Sequence, residues 1–403
     1  MQWRSSRRLP HRLAPNRGRM WKGKRPMAAG ASRWSDQGRV VAGLGPRLHL
    51  GLERVLGLVV LGLVLLSSAE RLSAQGLRLE LIEAGADRPL NGVFVTLENE
   101  AGERLAAGLT DASGRATLSP MPDGAVVLRA ELLGYATGEW TVSGMVPGPD
   151  PYRLALLPSA IPLEGLVAEA ASRCEVRPAD RGLTALVWEE ARKALDLARW
   201  VQEQEVYDYQ VTRYTRRYGR EGRQIVEETP ERSRGFSSAP FESRSPELLA
   251  REGYLVESGE GIVAVAPDAN ALLSDAFLRT HCLQAWVENE EIGLDFEPVE
   301  EGEIADLKGT ILLDPETAAL RSVRFWYVGD RAEELAPSGQ GEVEFERLSS
   351  GAWIVRRWWV RTPIREVQTA LGRPRSDTRI VTTGYFEFGG EVVTVRGGPG
   401  GGR

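Results

Sequence analysis

The stretch LTDASGRATLSPMPDGAVVLRAELLGY, Leu109 to Tyr135, constrains the fold more than any other part of this 403-residue chain. It interrupts its own apolar alternation twice, at Asp111–Gly114 and at Pro122–Gly124. Asp hydrogen-bonds its own backbone in a turn, and Gly supplies the positive φ that other residues resist. No helix survives punctuation this dense, so the stretch predicts hairpins. The same rhythm continues on both sides. LRLELIEA, VFVTLEN, LAAGLT, RATLSP, AVVLRAELLGY, TGEWTVSG and YRLALLP are strand candidates, parted by DRPLNG, EAGER, DASG and MPDG. Seven strands with turn signals roughly every 8–12 residues predict an antiparallel sandwich or barrel over 75–158.

In their order and spacing, RPLNGVFVTL, TDASGRATL and MPDGAVVLRAELLGY resemble the carboxypeptidase regulatory-like domain, a transthyretin-like Greek-key sandwich. The likeness runs from Gly76 to Pro158. Val93 stands where that family usually has Ala, and Ala116 where it often has an aromatic residue. The resemblance implies an accessory β-domain of exported bacterial proteins, found also at the front of TonB-dependent receptors. It implies no peptidase site, and the chain after Pro158 is too short for a receptor barrel.

The address of the protein follows from its first 74 residues. Residues 1–54 hold thirteen Lys or Arg against Asp36 and Glu53, whereas the portion after Ala74 holds 36 basic and 53 acidic residues. Between them, Val55–Leu66 is an uncharged apolar run followed by small residues ending at Leu72-Ser73-Ala74. That order predicts a signal peptide over 55–74, cleaved after Ala74, behind a disordered basic leader over 1–54 or an over-early start codon. A membrane anchor would need roughly 20 apolar residues, more than the run supplies. No cysteine flanks the cleavage site, which argues against a lipoprotein. A nucleic-acid-binding arm does not fit upstream of an export signal. The expected location is the periplasm or the exterior, with no transmembrane span after cleavage. In an oxidising compartment Cys174 and Cys282, the two cysteines of the chain, predict one disulfide. Its loop of about a hundred residues would contribute on the order of 4–5 kcal/mol in the chain-entropy model.

Residues 159–182 read as a connection. LTALVWEEARKALDLARWVQEQ then spaces Val187, Ala191, Ala194, Ala198 and Val201 helically, which predicts one amphipathic helix over 183–204. Trp188 and Trp200 are assigned to packing. Further on, VYDYQVTRYTRRYG, GYLVESGEGIVAVAP, CLQAWVEN, IGLDFEPV, LKGTILLDPETAALRSVRFWYV, GEVEFERL and AWIVRRWWVRTP predict eight or nine antiparallel strands, with a short helix in NALLSDAFLRTHC. The expected fold is mainly β: a seven-stranded sandwich plus a curved, half-barrel-like antiparallel sheet over 183–388, packed by one or two helices. GGEVVTVRGGPGGGR, 389–403, reads as a flexible glycine-rich tail. VWEEARKAL, the LLSDAF and HC pieces and the IGLDFEPV–RFWY strands resemble exported bacterial proteins that couple the same β-domain to an uncharacterised C-terminal domain. The hairpins are also loosely similar to the half-barrel of periplasmic lipoprotein carriers. The positions matched include both cysteines, and the likeness supplies no activity.

The search for chemistry returns absences. His281 is the one histidine after Ala74, so a His-based zinc site and an HExxH motif are missing. There is no GxSxG elbow and no Walker loop. His281 beside Cys282 reads as a packed residue next to a disulfide, and oxidation would disable a Cys–His nucleophile. The acidic run from Glu288 to Asp306 lacks calcium-loop spacing and reads as a solvated edge. Paired carboxylates of a glycosidase depend on a three-dimensional separation that sequence does not carry. The arginines of RYTRRYGREGR and VRRWWVR, in an acidic chain, read as strand-face residues rather than a nucleic-acid surface. In the second, strict alternation puts Ile354, Trp358 and Val360 on one face and Trp353, Val355 and Trp359 on the other.

These readings predict a non-catalytic exported binding or scaffold protein of the cell envelope, with no catalytic residues, metal or cofactor and no nucleic-acid partner. Its partner would be an envelope protein, a glycan or a lipid-like ligand. A carrier or sensor of an apolar ligand is the first alternative, with Trp326, Trp353 and Trp359 lining the curved sheet. It fails if a helix fills that face. A carbohydrate-binding module using Tyr135 and Trp140 is the second.

Overall fold

The computed structural model describes residues 76–119, 121–159, 180–233, 235–258, 261–288, 291–369 and 378–398. The leader 1–54, the apolar segment 55–74 and Cys174 in the connection lie outside the described residues. What is described is mainly β, as the sequence predicts.

Seven strands build the first part: β1 (Leu77–Glu83), β2 (Phe94–Glu98), β3 (Arg104–Leu109), β4 (Arg115–Leu118), β5 (Val127–Glu131), β6 (Gly138–Thr141) and β7 (Tyr152–Leu156). They form two sheets, ordered β4-β1-β7 and β3-β2-β5-β6. Leu77, Leu79 and Leu81 of β1 are fully buried while Arg78 and Glu80 alternate outward, the period of a strand with one face on a core. One pairing departs from the antiparallel expectation. β7 runs parallel to β1 because it returns from the far end of the other sheet to reach the free edge of β1. β2 is buried on both faces. Val93, Val95 and Leu97 fill the sandwich core, and Phe94 points the other way into a second, larger core.

That larger core belongs to a nine-stranded antiparallel sheet: β8 (Tyr207–Tyr218), β9 (Ile225–Arg232), β12 (His281–Glu288), β13 (Glu291–Pro298), β14 (Asp306–Leu313), β15 (Leu320–Val328), β16 (Gln340–Arg347), β17 (Trp353–Thr369) and β18 (Thr378–Gly397). Its order is β12-β13-β14-β15-β16-β17-β18-β8-β9, a meander completed by an earlier hairpin. β10 (Leu255–Ser258) and β11 (Gly261–Ala264) form a separate pair. The helices are α1 (Asp180–Glu203), α2 (Pro246–Glu252), α3 (Ala269–Leu272), α4 (Asp275–Thr280) and α5 (Asp330–Leu335). α1 lays Val187, Ala191, Ala194, Leu195, Ala198 and Val201 on the sheet, its alanines permitting a close approach. Among the described residues no helix is long and apolar enough to cross a membrane.

Two expectations are corrected. Residues 389–397 are not a tail: they are the second half of β18, paired with β8 along their length and with β17 as far as Glu391. Their glycines make room for aromatic rings. A Cβ on Gly390 would stand 2.3 Å from the Trp358 indole, and one on Gly389 would stand 2.8 Å from the Tyr214 hydroxyl. The segment is also apolar enough to pack, since Val392 is fully buried. The second correction concerns β17. The β16–β17 register shifts between Glu344 and Phe345, which leaves Arg356 as an extra residue. Beyond this bulge Trp353 and Val355 therefore join Trp358 and Val360 on the core face, and strict alternation is broken.

α1 has two working faces. On the side away from the sheet, Glu190, Lys193 and Asp196 are buried against the sandwich. The Gly134 N–H donates to Glu190 Oε2 (2.9 Å), and Lys193 Nζ donates to the Tyr135 carbonyl and to Glu190 Oε1, both at 2.7 Å. Arg104 pairs with Asp196, and Arg192 with Glu131 at 2.5 Å. Phe94 packs on Trp200 with centroids 5.2 Å apart. Buried ions cost desolvation unless every one is partnered, and here each has a partner on the opposite body.

Candidate functional site

The candidate site residues singled out in the sequence, apart from Cys174, lie among the described residues. On the sheet face away from α1, cross-strand register aligns Arg216 of β8, Glu387 of β18, Arg361 of β17, Gln340 of β16 and Trp326 of β15. Glu387 is 2% exposed, although no helix covers it. Its Oε2 accepts from Arg361 Nε (2.9 Å) and Nη2 (2.6 Å). Its Oε1 accepts from Arg216 Nη1 (3.3 Å) and the Tyr218 hydroxyl (3.2 Å). The Arg361 guanidinium stacks 3.9 Å from the Tyr218 ring centre and gives its remaining nitrogen to the Gly222 carbonyl. Arg216 stacks on Tyr214, whose hydroxyl is pushed up to about 12 by burial and then by the Glu387 charge. Every nitrogen of Arg361 is engaged within the protein, so the row fastens three strands and offers no open anion site. Arg357 and Arg356 likewise face Glu344 and Glu346.

The three tryptophans proposed as ligand-facing do not share a surface. Trp353 is buried on the core face. Trp359 is half-buried on the opposite face near Arg361, and Trp326, on that same outer face, is 38% exposed. The two sandwich aromatics are engaged in structure. The Tyr135 hydroxyl donates to Glu83 (2.6 Å), and the Trp140 ring lies where a Cβ on Gly138 would be, at 2.3 Å. His281 is packed. It stacks on Phe277 with centroids 3.8 Å apart, with Nδ1 3.1 Å from the Phe277 carbonyl and Nε2 3.0 Å from that of Leu307. Cys282 is the second residue of β12 and half-buried, while Cys174 lies outside the described residues. Among the described residues no group of three His, Cys, Asp or Glu side chains could hold a metal ion.

Two cavities compete as binding sites. One of about 890 Å³ opens between the end of α1 and the starts of α2 and α4, and its walls are polar. Arg199, Arg244 and Arg279 there are already paired with Asp196, Glu252 and Asp275. The other, about 440 Å³, lies on the core face of β9, β8, β18 and β17, lined by Arg213, Glu231, Phe241, Glu242, Trp358 and Phe388. Phe241, on the segment following β9, closes it from above, with its ring 5.4 Å from that of Trp358. Arg213 and Glu231 come from opposed positions of β8 and β9. Neither they nor Glu242 forms an ion pair within the described residues. An apolar floor, a few unengaged charges at the mouth and this volume are the features of a small-molecule site.

Only one signal in the sequence pointed here, the WW pair in VRRWWVR, and it named Trp359 rather than Trp358. Phe241 and Phe388 had no signal: one follows a Pro in an irregular segment, and the other adjoins glycines taken for a tail.

No protein-family model matches this chain, and no curated protein does. Among solved structures, one similar chain is the 9R-lipoxygenase from Cyanothece PCC8801, at 11% identity and a TM-score of 0.15. The match covers 66% of this chain and 41% of that enzyme, and a similarity so low carries no argument.

Proposed function

We propose that this is a non-catalytic, exported binding protein of the cell envelope that carries or senses a small ligand with an apolar body. The observation that carries the reading is the aromatic cavity of about 440 Å³ at Phe241, Trp358 and Phe388. α1 fills the sheet opposite β12, β13 and β17, and the cavity opens farther along the same face. The reading moves the ligand from Trp353 and Trp359 to a place beside the helix layer, at Trp358. Export rests on the signal-like 55–74 segment, and the sandwich on its likeness to the carboxypeptidase regulatory-like domain, which makes it an accessory module braced on α1. The Cys174–Cys282 bridge belongs to the same reading.

Native mass spectrometry of protein recovered from the envelope tests this. The expected species begins at Gln75, is lighter than its reduced form by the hydrogens of one disulfide, and carries a stoichiometric small molecule. Phe388→Ala loses the adduct while keeping the circular dichroism of the parent. Wild-type protein without an adduct, or an adduct untouched by Phe388→Ala, overturns the ligand-carrying role.

A further inference from the structure

We infer that the ligand of this cavity is an organic cation, an alkylated or quaternary ammonium group borne on an apolar body. The inference rests on the binding reading above and adds the chemical class. Its physical basis is the coincidence of aromatic rings with surplus carboxylate in one lining. Phe241, Trp358 and Phe388 place three rings around one volume. The face of an aromatic ring is the negative end of its quadrupole, and several faces around one site attract a cation that has already lost its water. A quaternary ammonium suits such walls best because it has no N–H that needs an acceptor, and Phe and Trp faces offer none. A carboxylate or phosphate would meet the same faces with the wrong sign.

The charges at the mouth agree in sign. Glu231 and Glu242 contribute two negative charges and Arg213 one positive. None of the three forms an ion pair with another described residue, so the cavity carries one negative charge in excess and a monocation neutralises it. This differs from the outer face of the same strands, where Arg216 and Arg361 are paired with Glu228 and Glu387. Where the sheet uses charge to hold itself together, the pairs are closed. At the cavity they are left open.

The placement also explains why the site can be aromatic without being filled. Trp358 is 5% exposed because its ring lies over Gly390, so only part of it reaches the cavity. Phe388, two residues before Gly390, projects from the same face of β18, and Phe241 meets Trp358 from the opposite side. A cation held between Phe241 and Phe388 would be within reach of Glu242, the residue next to Phe241.

The test uses the full chain and a matched pair of probes. Choline and its uncharged isostere 3,3-dimethyl-1-butanol have the same shape and differ in charge, and N-phenyl-1-naphthylamine reports any apolar pocket by fluorescence. Choline should bind saturably and at least about tenfold more tightly than the isostere, because the two differ by the cation–π and carboxylate terms. Phe241→Leu, which keeps an apolar wall but removes the ring, should weaken choline by about tenfold and leave the isostere within about twofold. Glu242→Gln, at an exposed position, should weaken choline alone. Equal binding of choline and isostere overturns the cation assignment and leaves the apolar-ligand reading standing, as does binding of the naphthylamine with no binding of choline. Failure of all three probes overturns both.

Discussion

Gly390 is a packing residue that contains no side chain. The Trp358 indole occupies the place where its Cβ would project, 2.3 Å away, and both groups are held by strands hydrogen-bonded to each other. Gly390→Ala should therefore destabilise the fold by roughly 1–3 kcal/mol through overpacking, whereas Val393→Ala, at a half-exposed bulge, should change it by well under 1 kcal/mol. Thermal denaturation followed by circular dichroism separates the two, and an unchanged midpoint for Gly390→Ala would contradict the packing account. At this scale the sequence was least legible. A glycine pair in a strand and one in a linker look alike, because the distinguishing atom belongs to a residue 32 positions away. Arg356 was equally silent. One inserted residue moves Trp353 to the other face, and no local signal marks a bulge between two arginines.

At the scale of elements, alternation was informative wherever one face of a strand is buried. All seven sandwich strands and the hairpin of β14 and β15 were legible for this reason, and α1 from its alanine spacing. β9 and β18 were not. β9 is exposed along its whole length and contains Pro230, so neither periodicity nor propensity marks it. Its composition instead suits an edge, since Pro and charges there discourage pairing with another chain. β18 was hidden by its glycines, and it is the element on which the sheet depends most. It pairs with β17 over Thr378–Glu391 and with β8 over Tyr385–Gly397, so removing residues 389–403 would strip β8 of most of its partner and loosen the β8–β9 hairpin from the sheet. Such a truncated chain should fail to give a cooperative unfolding transition. Removal of 399–403 alone should leave the transition in place. Calorimetry of the two products distinguishes an integral strand from a tail.

Across the described residues, the sandwich meets α1 both through ion pairs and through Phe94 and Leu109, which join the core of the large sheet. Gly92 and Gly351, both at positive φ, touch where the two parts also meet, and a Cβ on either would overlap the other. Nothing in the sequence showed that Glu190, Lys193 and Asp196 would be buried, because their helical spacing is also that of a solvated face. Acid should weaken the fold through other carboxyls. The Arg192 guanidinium holds the Glu189 carboxyl below its ordinary 4.5, and Asp111 and Asp314 are lowered by Ser113 and Thr317. A carboxylate lowered in the folded state binds protons more readily when unfolded, so its stabilisation is present above the unfolded value and is lost as pH falls through the folded one. Asp268, raised by burial, works in the opposite direction but is outnumbered. The melting temperature should thus fall steeply below about pH 4.5, and Glu189→Gln should make that limb shallower while slightly lowering stability at pH 7. A melting temperature constant down to pH 3 would contradict the lowered carboxyls of Glu189, Asp111 and Asp314.

The strand order has a consequence for time as well as for structure. Thr394 meets Gln210 across 184 residues of chain, and the strand that receives the β8–β9 hairpin follows every other described strand in the chain. The meander from β12 to β17 can assemble by successive local hairpins, but the earlier pair must wait, its open edge unsatisfied, until the C-terminus arrives. Sheets closed by such distant contacts fold slowly, and a chain delivered N-terminus first spends that interval exposed. β18 is therefore a clock: the time it takes to insert sets how long the edge of β8 stands open to other chains.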